Sequence, residues 1–275
     1  MTMTIKQSEL GKKSSYTGSY DPDLLFPISR QHKRDEIGIP NPPPFLGFDL
    51  WNHYEVSWLN EKGKPIVALA EIRYDCLSPN IIESKSMKLY FNSLNHTPFK
   101  DAATLQSILQ QDLEKKVGAA VTVNLIPLPI SQSNRMLASL PGMSLDSLDI
   151  DCDCYEVNPS LLTTEPHLVE ETLHSNLLKS NCLVTTQPDW GSVLISYRGK
   201  KINHEGLLRY IVSFRNHLEF HEQCIERIFM DMLNRCQPTQ LTVYGRYTRR
   251  GGLDINPYRS TEKQVPIENI RLCRQ

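Results

Sequence analysis

Three observations predict an α+β fold of two related modules, each an antiparallel sheet with two helices. The length, 275 residues, leaves room for two domains of ordinary size. Both halves run through the same order of elements: hairpin, helix, helix, strand. A short echo joins them, since "YFNSLNH" at 90–96 and "YIVSFRNH" at 210–217 share Tyr, Ser, Asn and His with one residue inserted.

Residues 1–45 are polar and end in "GIPNPPPF", which reads as an extended arm on the domain surface without a core of its own. Residues 46–130 form the first module. It opens with "FDLWNHYEVSWLNEKGKPIVALAEIRYD", two strand-like runs around the turn "NEKGK". "IIESKSMKLYFNSLNHT" follows, and then "DAATLQSILQQDLEKKVG", where Leu105, Ile108, Leu109 and Leu113 recur at helical spacing. "AAVTVNLIPLP" closes the module as a strand. Residues 131–150 read as a linker, and "PISQSNRMLASLPGMSLDSLDIDCDC" as that connection plus the opening strand of a second module, 151–275. There "CYEVNPSLLTTE" and "SVLISYRG" supply strands, and "HEGLLRYIVSFRNHLEFHEQCIERIFMDMLNRC" two helical segments broken near "NHLEF". "TQLTVYGRYTRR" is the last strand.

Lys plus Arg is 30 against 31 for Asp plus Glu, so no global field draws the chain to nucleic acid or an anionic membrane. Any anion site must be local. The opening residues lack the apolar centre of a signal peptide, and no run approaches the roughly 18 apolar residues of a membrane span. A cytoplasmic protein is expected. Its seven cysteines then read as free thiols, metal ligands or nucleophiles before disulfides.

Cys182 stands out in "SNCLVTTQPDWGSVLISYRG", at a strand entrance seven residues ahead of Asp189. A nucleophilic thiolate needs nearby donors or a base, and the group it attacks needs a proton donor, a role a partly desolvated Asp189 can fill. An incidental buried thiol is the plain alternative. In "EFHEQC", His221 and Glu222 open an amphipathic helix, where the Glu either solvates the first turn or accepts two donors from the amidine-like edge of a guanine or pterin. In "ESKSMKLY", Glu83, Ser84 and Lys85 stand at a helix entry that suits an anion, or that is simply a charged surface face. "YGRYTRRGG" sets Arg246, Arg249 and Arg250 ahead of two glycines, either a phosphate clamp that includes the extra phosphate of NADP or an ordinary basic loop. No G-x-G-x-x-G, G-x-S-x-G or G-x-x-x-x-G-K-[ST] occurs. Cys152 and Cys154 in "DCDC" could begin a zinc site, but no second pair has a recognisable spacing.

Together "ESKSMKLY", "C…TTQPDW", "SFRNH…FHEQC" and "RYTRRGG" resemble the NADPH-dependent 7-cyano-7-deazaguanine reductases, the QueF nitrile reductases, in their long two-module form. The resemblance runs from about residue 45 to the end. It implies tandem tunnelling-fold (T-fold) modules that assemble side by side into a barrel, hence a homodimer at least. It implies Cys182 as nucleophile, Asp189 as proton donor, and His221 and Glu222 as a substrate-binding pair. By the same resemblance Ile82, Glu83 and Ser84 also touch substrate, Ser84, Lys85, Arg250 and Gly251 contact NADPH, and no metal is needed. The implied reaction takes 7-cyano-7-deazaguanine to 7-aminomethyl-7-deazaguanine through a Cys182 thioimide. It serves queuosine modification of transfer RNA without direct contact to nucleic acid or membrane. One departure is "HEGLLRY", which stands where the echo places a second "ESKSMKLY" and lacks its Ser and Lys; the second copy is expected to be retired from cofactor binding. The rivals are a zinc-dependent tunnelling-fold cyclohydrolase acting on GTP, a thiol nitrilase, and a binding module with an incidental cysteine.

Overall fold

The computed structural model describes residues 18–128, 137–263 and 268–275. Residues 1–17 of the expected arm, which include most of the segment read for a signal peptide, and 131–136 of the expected linker lie outside the described residues. The chain divides into two compact units: Met1–Glu36, Asp49–Asn134 and Arg249–Asp254 form the first, and Ile37–Phe48, Arg135–Thr248 and Ile255–Gln275 the second.

In the first unit β1 (Pro27–Ser29) and α1 (Arg30–Glu36) precede the hairpin of β2 (Leu46–Leu59), which belongs to this unit from Asp49 on, and β3 (Pro65–Asp75). The hairpin turn lies where the sequence puts it. Asn60 Oδ1 accepts the N–H groups of Lys62 and Lys64, and Gly63 takes the left-handed conformation that closes the turn. Then come β4 (Asn80–Ile82), α2 (Ser84–Ser93), α3 (Ala102–Val117) and β5 (Val121–Pro127), with sheet order β5-β3-β2. Helix α3 starts at Asp101, which caps the Thr104 N–H, and stops at the left-handed Gly118. It buries Leu105, Leu109, Leu113 and Val117, whereas Ile108 sits at the edge of that stripe, half-buried. The expected arm contributes to the core. Leu25 and Ile28 are buried, β1 pairs with β4, and Arg30 forms a buried ion pair with Asp49.

The second unit holds β6 (Leu137–Ala138), β7 (Met143–Ser144), β8 (Thr164–Ser175), β9 (Lys179–Asn181), β10 (Pro188–Ile202), α4 (His204–Ser213) and α5 (His221–Cys236). It continues with β11 (Gln240–Tyr247), most of β12 (Leu253–Ser260) and β13 (Arg271–Leu272). The sheet order is β12-β11-β10-β8-β7. Among the described residues the stretch ending "DIDCDC" holds only the two-residue strands β6 and β7, and "CYEVNPSLLTTE" holds a 3₁₀ turn at Pro159–Leu161 and reaches β8, the first long strand of the unit, only in its last two residues. Three glutamates and two histidines in β8 disguise it, and they fall on both faces: Glu170 and His174 on one, Glu165, His167 and Glu171 on the face that buries Leu173 and Ser175. Strand β12, "LDINPYRS", was likewise not expected. Its polar residues are buried and bonded: Asp254 to Asn52 and Tyr54 in the first unit, and Asn256 to Gln275 and Arg259 to Glu226 in the second.

The sequence echo is repeated in hydrogen bonds. Tyr90 donates to Asp112 and Tyr210 to Asp231, each at 2.6 Å, and the hydroxyls of Ser93 and Ser213 donate to the carbonyls of those same tyrosines, again at 2.6 Å. Each serine also accepts a backbone N–H from the head of a 3₁₀ turn: Asp21 of "DPDLL" in one half, Asn158 of "NPSLL" in the other. Part of the expected arm is thus the counterpart of residues 158–162.

Candidate active site

Cys182 follows β9 directly and heads the loop to β10. Its N–H donates to the Gln187 carbonyl at 2.8 Å, and its own carbonyl accepts from Thr186, a residue held at a positive φ of 55°. The thiol residue is 5 % exposed. Asp189 lies on β10 opposite Ser180 of β9, so the loop's two legs carry the cysteine and the aspartate. Asn181 then ties this hairpin to the entry of α5: its N–H donates to the His217 carbonyl, and its carbonyl accepts from Glu219. The helix start that carries His221 and Glu222 is thereby tied to the residue preceding Cys182.

His221 Nε2 lies 3.3 Å from Asp189 Oδ2, and its ring stacks flat on Tyr247, with centroids 3.9 Å apart and planes 5° apart. Gly191 pairs with Tyr247 across β10 and β11; a Cβ there would come 3.1 Å from the tyrosine ring. Glu222, 2 % exposed, sits in the first turn of α5, where the helix dipole favours a carboxylate. Behind this group burial pushes the Cys224 thiol up to about 12, and burial with Cys224 close by holds the Tyr247 hydroxyl well above its ordinary value. Cys224 therefore stays a neutral thiol.

The other expected residues lie in the first unit. Ile82 ends β4, and Glu83 caps α2, its carboxylate accepting the N–H groups of Lys85 and Ser86 at 2.7 and 2.8 Å. The Ser84 hydroxyl reaches the same carboxylate at 3.5 Å. Burial raises the Glu83 carboxyl while these bonds oppose the rise. The helix entry read as an anion site thus has N–H groups engaged by its own cap. Arg249–Asp254 return to this unit from the stretch expected to close the second module: Gly252 accepts the Tyr54 N–H, and Arg249 lies over the Tyr54 ring at 4.5 Å. Gly251, at φ +60°, lines a cavity of about 260 Å³ with Lys88, one turn beyond Lys85; a Cβ at Gly251 would come 2.9 Å from the Lys88 stem. Ser84, Lys85 and the Arg250 side chain are not among that cavity's lining residues.

Arg246 does not join a phosphate clamp. It is buried and spends its donors on Tyr244, Asn269, Ile270 and Gln275, anchoring the C-terminal residues. Among the described residues no three His, Cys, Asp or Glu side chains converge as a metal site, and the Cys154 thiol donates to the Glu156 carbonyl. No helix of the described residues is long and apolar enough to cross a membrane. Tyr247 and Gly191 were missed because their roles exist only through strand register; Lys88 had a signal, its i+3 spacing from Lys85.

The family model described as "Nitrile reductase, 7-cyano-7-deazaguanine-reductase N-term" matches residues 16–125, and "QueF-like protein" matches 188–266. A curated relative from Legionella pneumophila (strain Lens), named NADPH-dependent 7-cyano-7-deazaguanine reductase, is 62 % identical over 98 % of this chain and 95 % of its own. One of the same name from Polaromonas sp. (strain JS666 / ATCC BAA-500) is 56 % identical over 99 % of both. A crystal structure of an archaeosine synthase QueF-Like, 17 % identical, aligns over 37 % of this chain and 99 % of its own with a TM-score of 0.31, too slight a likeness to argue from.

Proposed function

The chain belongs to the NADPH-dependent 7-cyano-7-deazaguanine reductases, and from that premise we propose how its residues divide the work. The enzyme reduces the nitrile of 7-cyano-7-deazaguanine with NADPH, in queuosine biosynthesis. The Cys182 thiolate adds to the nitrile carbon, and Asp189 delivers a proton to the nitrogen, giving a covalent thioimide. After the first reduction Cys182 leaves as the sulfur–carbon bond breaks, which frees an imine for the second. Glu222 accepts two donors from the guanine-like edge, and His221 holds Asp189 and helps exclude water, which would hydrolyse the imine. Ile82, Glu83 and Ser84 complete the substrate contacts.

Ser84, Lys85, Arg250 and Gly251 would hold NADPH. The bare Gly251 beside the Lys88 cation, on a cavity, fits an anionic group approaching the backbone closely. When bound, NADPH supplies a hydride for each of the two reductions. The observation that carries this reading is the convergence of the Cys182 loop, the Asp189–His221 pair at 3.3 Å and the first turn of α5. We take the enzyme to work in the cytoplasm as at least a homodimer, on a free base and without contact to nucleic acid.

Counting NADPH consumed against product mass tests the reaction. Two NADPH per aminomethyl product, and none with Cys182→Ala, are expected. A carboxylate or amide product, or nitrile left intact with NADPH unconsumed, would contradict it.

A further inference from the structure

His53 of β2 is 3 % exposed and packs against Phe91, ring centroids 4.3 Å apart. Its Nδ1 accepts the Glu55 backbone N–H at 3.1 Å, so in the neutral ring the hydrogen sits on Nε2. Burial, then the Lys88 charge, brings this imidazole down to about 3, and the ring stays neutral at any working pH. Nε2 is buried with no hydrogen-bond partner. Just past α2, Asn95 donates its amide to Asn92 at 3.0 Å, and its own Oδ1 is also buried without a partner. Both side chains line the cavity of about 260 Å³ that holds Lys88, Glu55 and Gly251.

An unspent donor and an unspent acceptor on one cavity are what a single hydroxyl satisfies, since it accepts from one and donates to the other. Lys88 suits a phosphoryl oxygen, and Glu55 can accept from a second hydroxyl. A phosphorylated ribose presents all of these groups together. We propose that this cavity holds a phosphorylated ribose of NADPH, with His53 and Asn95 bonding one ribose hydroxyl between them. This rests on the reading of NADPH as the reductant. Gly251 joins the "RRGG" motif to the site, because a side chain there would displace Lys88.

The test is calorimetric titration of the full-length protein with NADPH, comparing wild type with His53→Leu, which fills the volume without a donor, and His53→Gln, which restores one. Thermal melting first establishes that each variant is folded. His53→Leu should weaken NADPH binding about three- to tenfold, and His53→Gln should recover most of it. Should His53→Leu not fold, Asn95→Ala reports on the same hydroxyl, with a loss of the same size. Titrations with adenosine 2′,5′-bisphosphate and with nicotinamide mononucleotide separate the two riboses, since only the fragment that occupies the cavity weakens in the variant. Unchanged affinity for NADPH and both fragments in folded variants overturns the proposal and leaves the reductase reading intact. Wild type that fails to bind NADPH at all removes that reading and the proposal with it.

Discussion

His221 stands between an acid and an aromatic ring, and the two contacts do different things. Asp189 fixes its Nε2 and Tyr247 fixes its plane. Tyr247→Phe keeps the stack and should keep most turnover. Tyr247→Ala removes the ring, costs about 3–5 kcal/mol as a buried aromatic truncation, and should lower kcat with a changed pH profile. Steady-state kinetics across pH on folded variants checks this. His53 makes a second residue-level prediction. Its ordinary value of 6.5 falls to about 3 in the fold. Above pH 6.5 neither state is protonated; below it the unfolded chain takes up a proton that the folded one refuses. Stability is therefore lost as the pH falls from 6.5 toward 3, by about 2 kcal/mol at pH 5. Urea unfolding at pH 7 and pH 5 should show that share of the loss in wild type and not in His53→Leu. Cys182 and Glu222 could be singled out in the sequence because their residue types carry the chemistry. Tyr247, Gly191 and His53 could not, since nothing local distinguishes them from core residues.

Helix α5 carries His221 and Glu222 at its start, so what holds the helix to the sheet also holds the site. Arg259 of β12 donates through Nε and Nη2 to Glu226 of α5 at 3.0 and 2.9 Å, and through Nη1 to the carbonyls of Phe48 and Tyr258. Both members of the pair are buried. Glu226→Leu removes the buried carboxylate that accepts two of the Arg259 donors and should cost about 3–5 kcal/mol, read as a lower denaturation midpoint with an unchanged denaturant slope. Elements with clean periodicity, the first hairpin, α3, α4 and α5, were legible in the sequence. The strands β8 and β12 were not. One carries Glu and His on both of its faces, and the other buries Asp, Asn and Arg whose side-chain partners lie far along the chain. The stretch at 21–25 looked like surface arm because its partner, the Ser93 hydroxyl, lies far along the chain.

The duplication explains why each module carries half of the expected chemistry. Asn60 donates its N–H to Lys64 as Cys182 does to Gln187, and both loops continue into a proline, Pro65 or Pro188. Cys182 thus occupies the place of Asn60, and Asp189 that of Ile66. In the other direction Glu83 and Asn203 both cap the first helix of their module, but only Glu83 leads into Ser and Lys. The two copies have diverged in opposite senses. Asn60→Cys should therefore not restore turnover to a Cys182→Ala enzyme, because Ile66 offers no proton; NADPH consumption in the double variant checks this. The step on which the whole reaction depends is covalent capture of the substrate by Cys182. Its most direct test is intact-protein mass after mixing with 7-cyano-7-deazaguanine in the absence of NADPH, wild type beside Cys182→Ala. Wild type alone should gain the mass of the whole substrate and lose it when NADPH is added. An unmodified wild type, or an equal gain on both proteins, would contradict it.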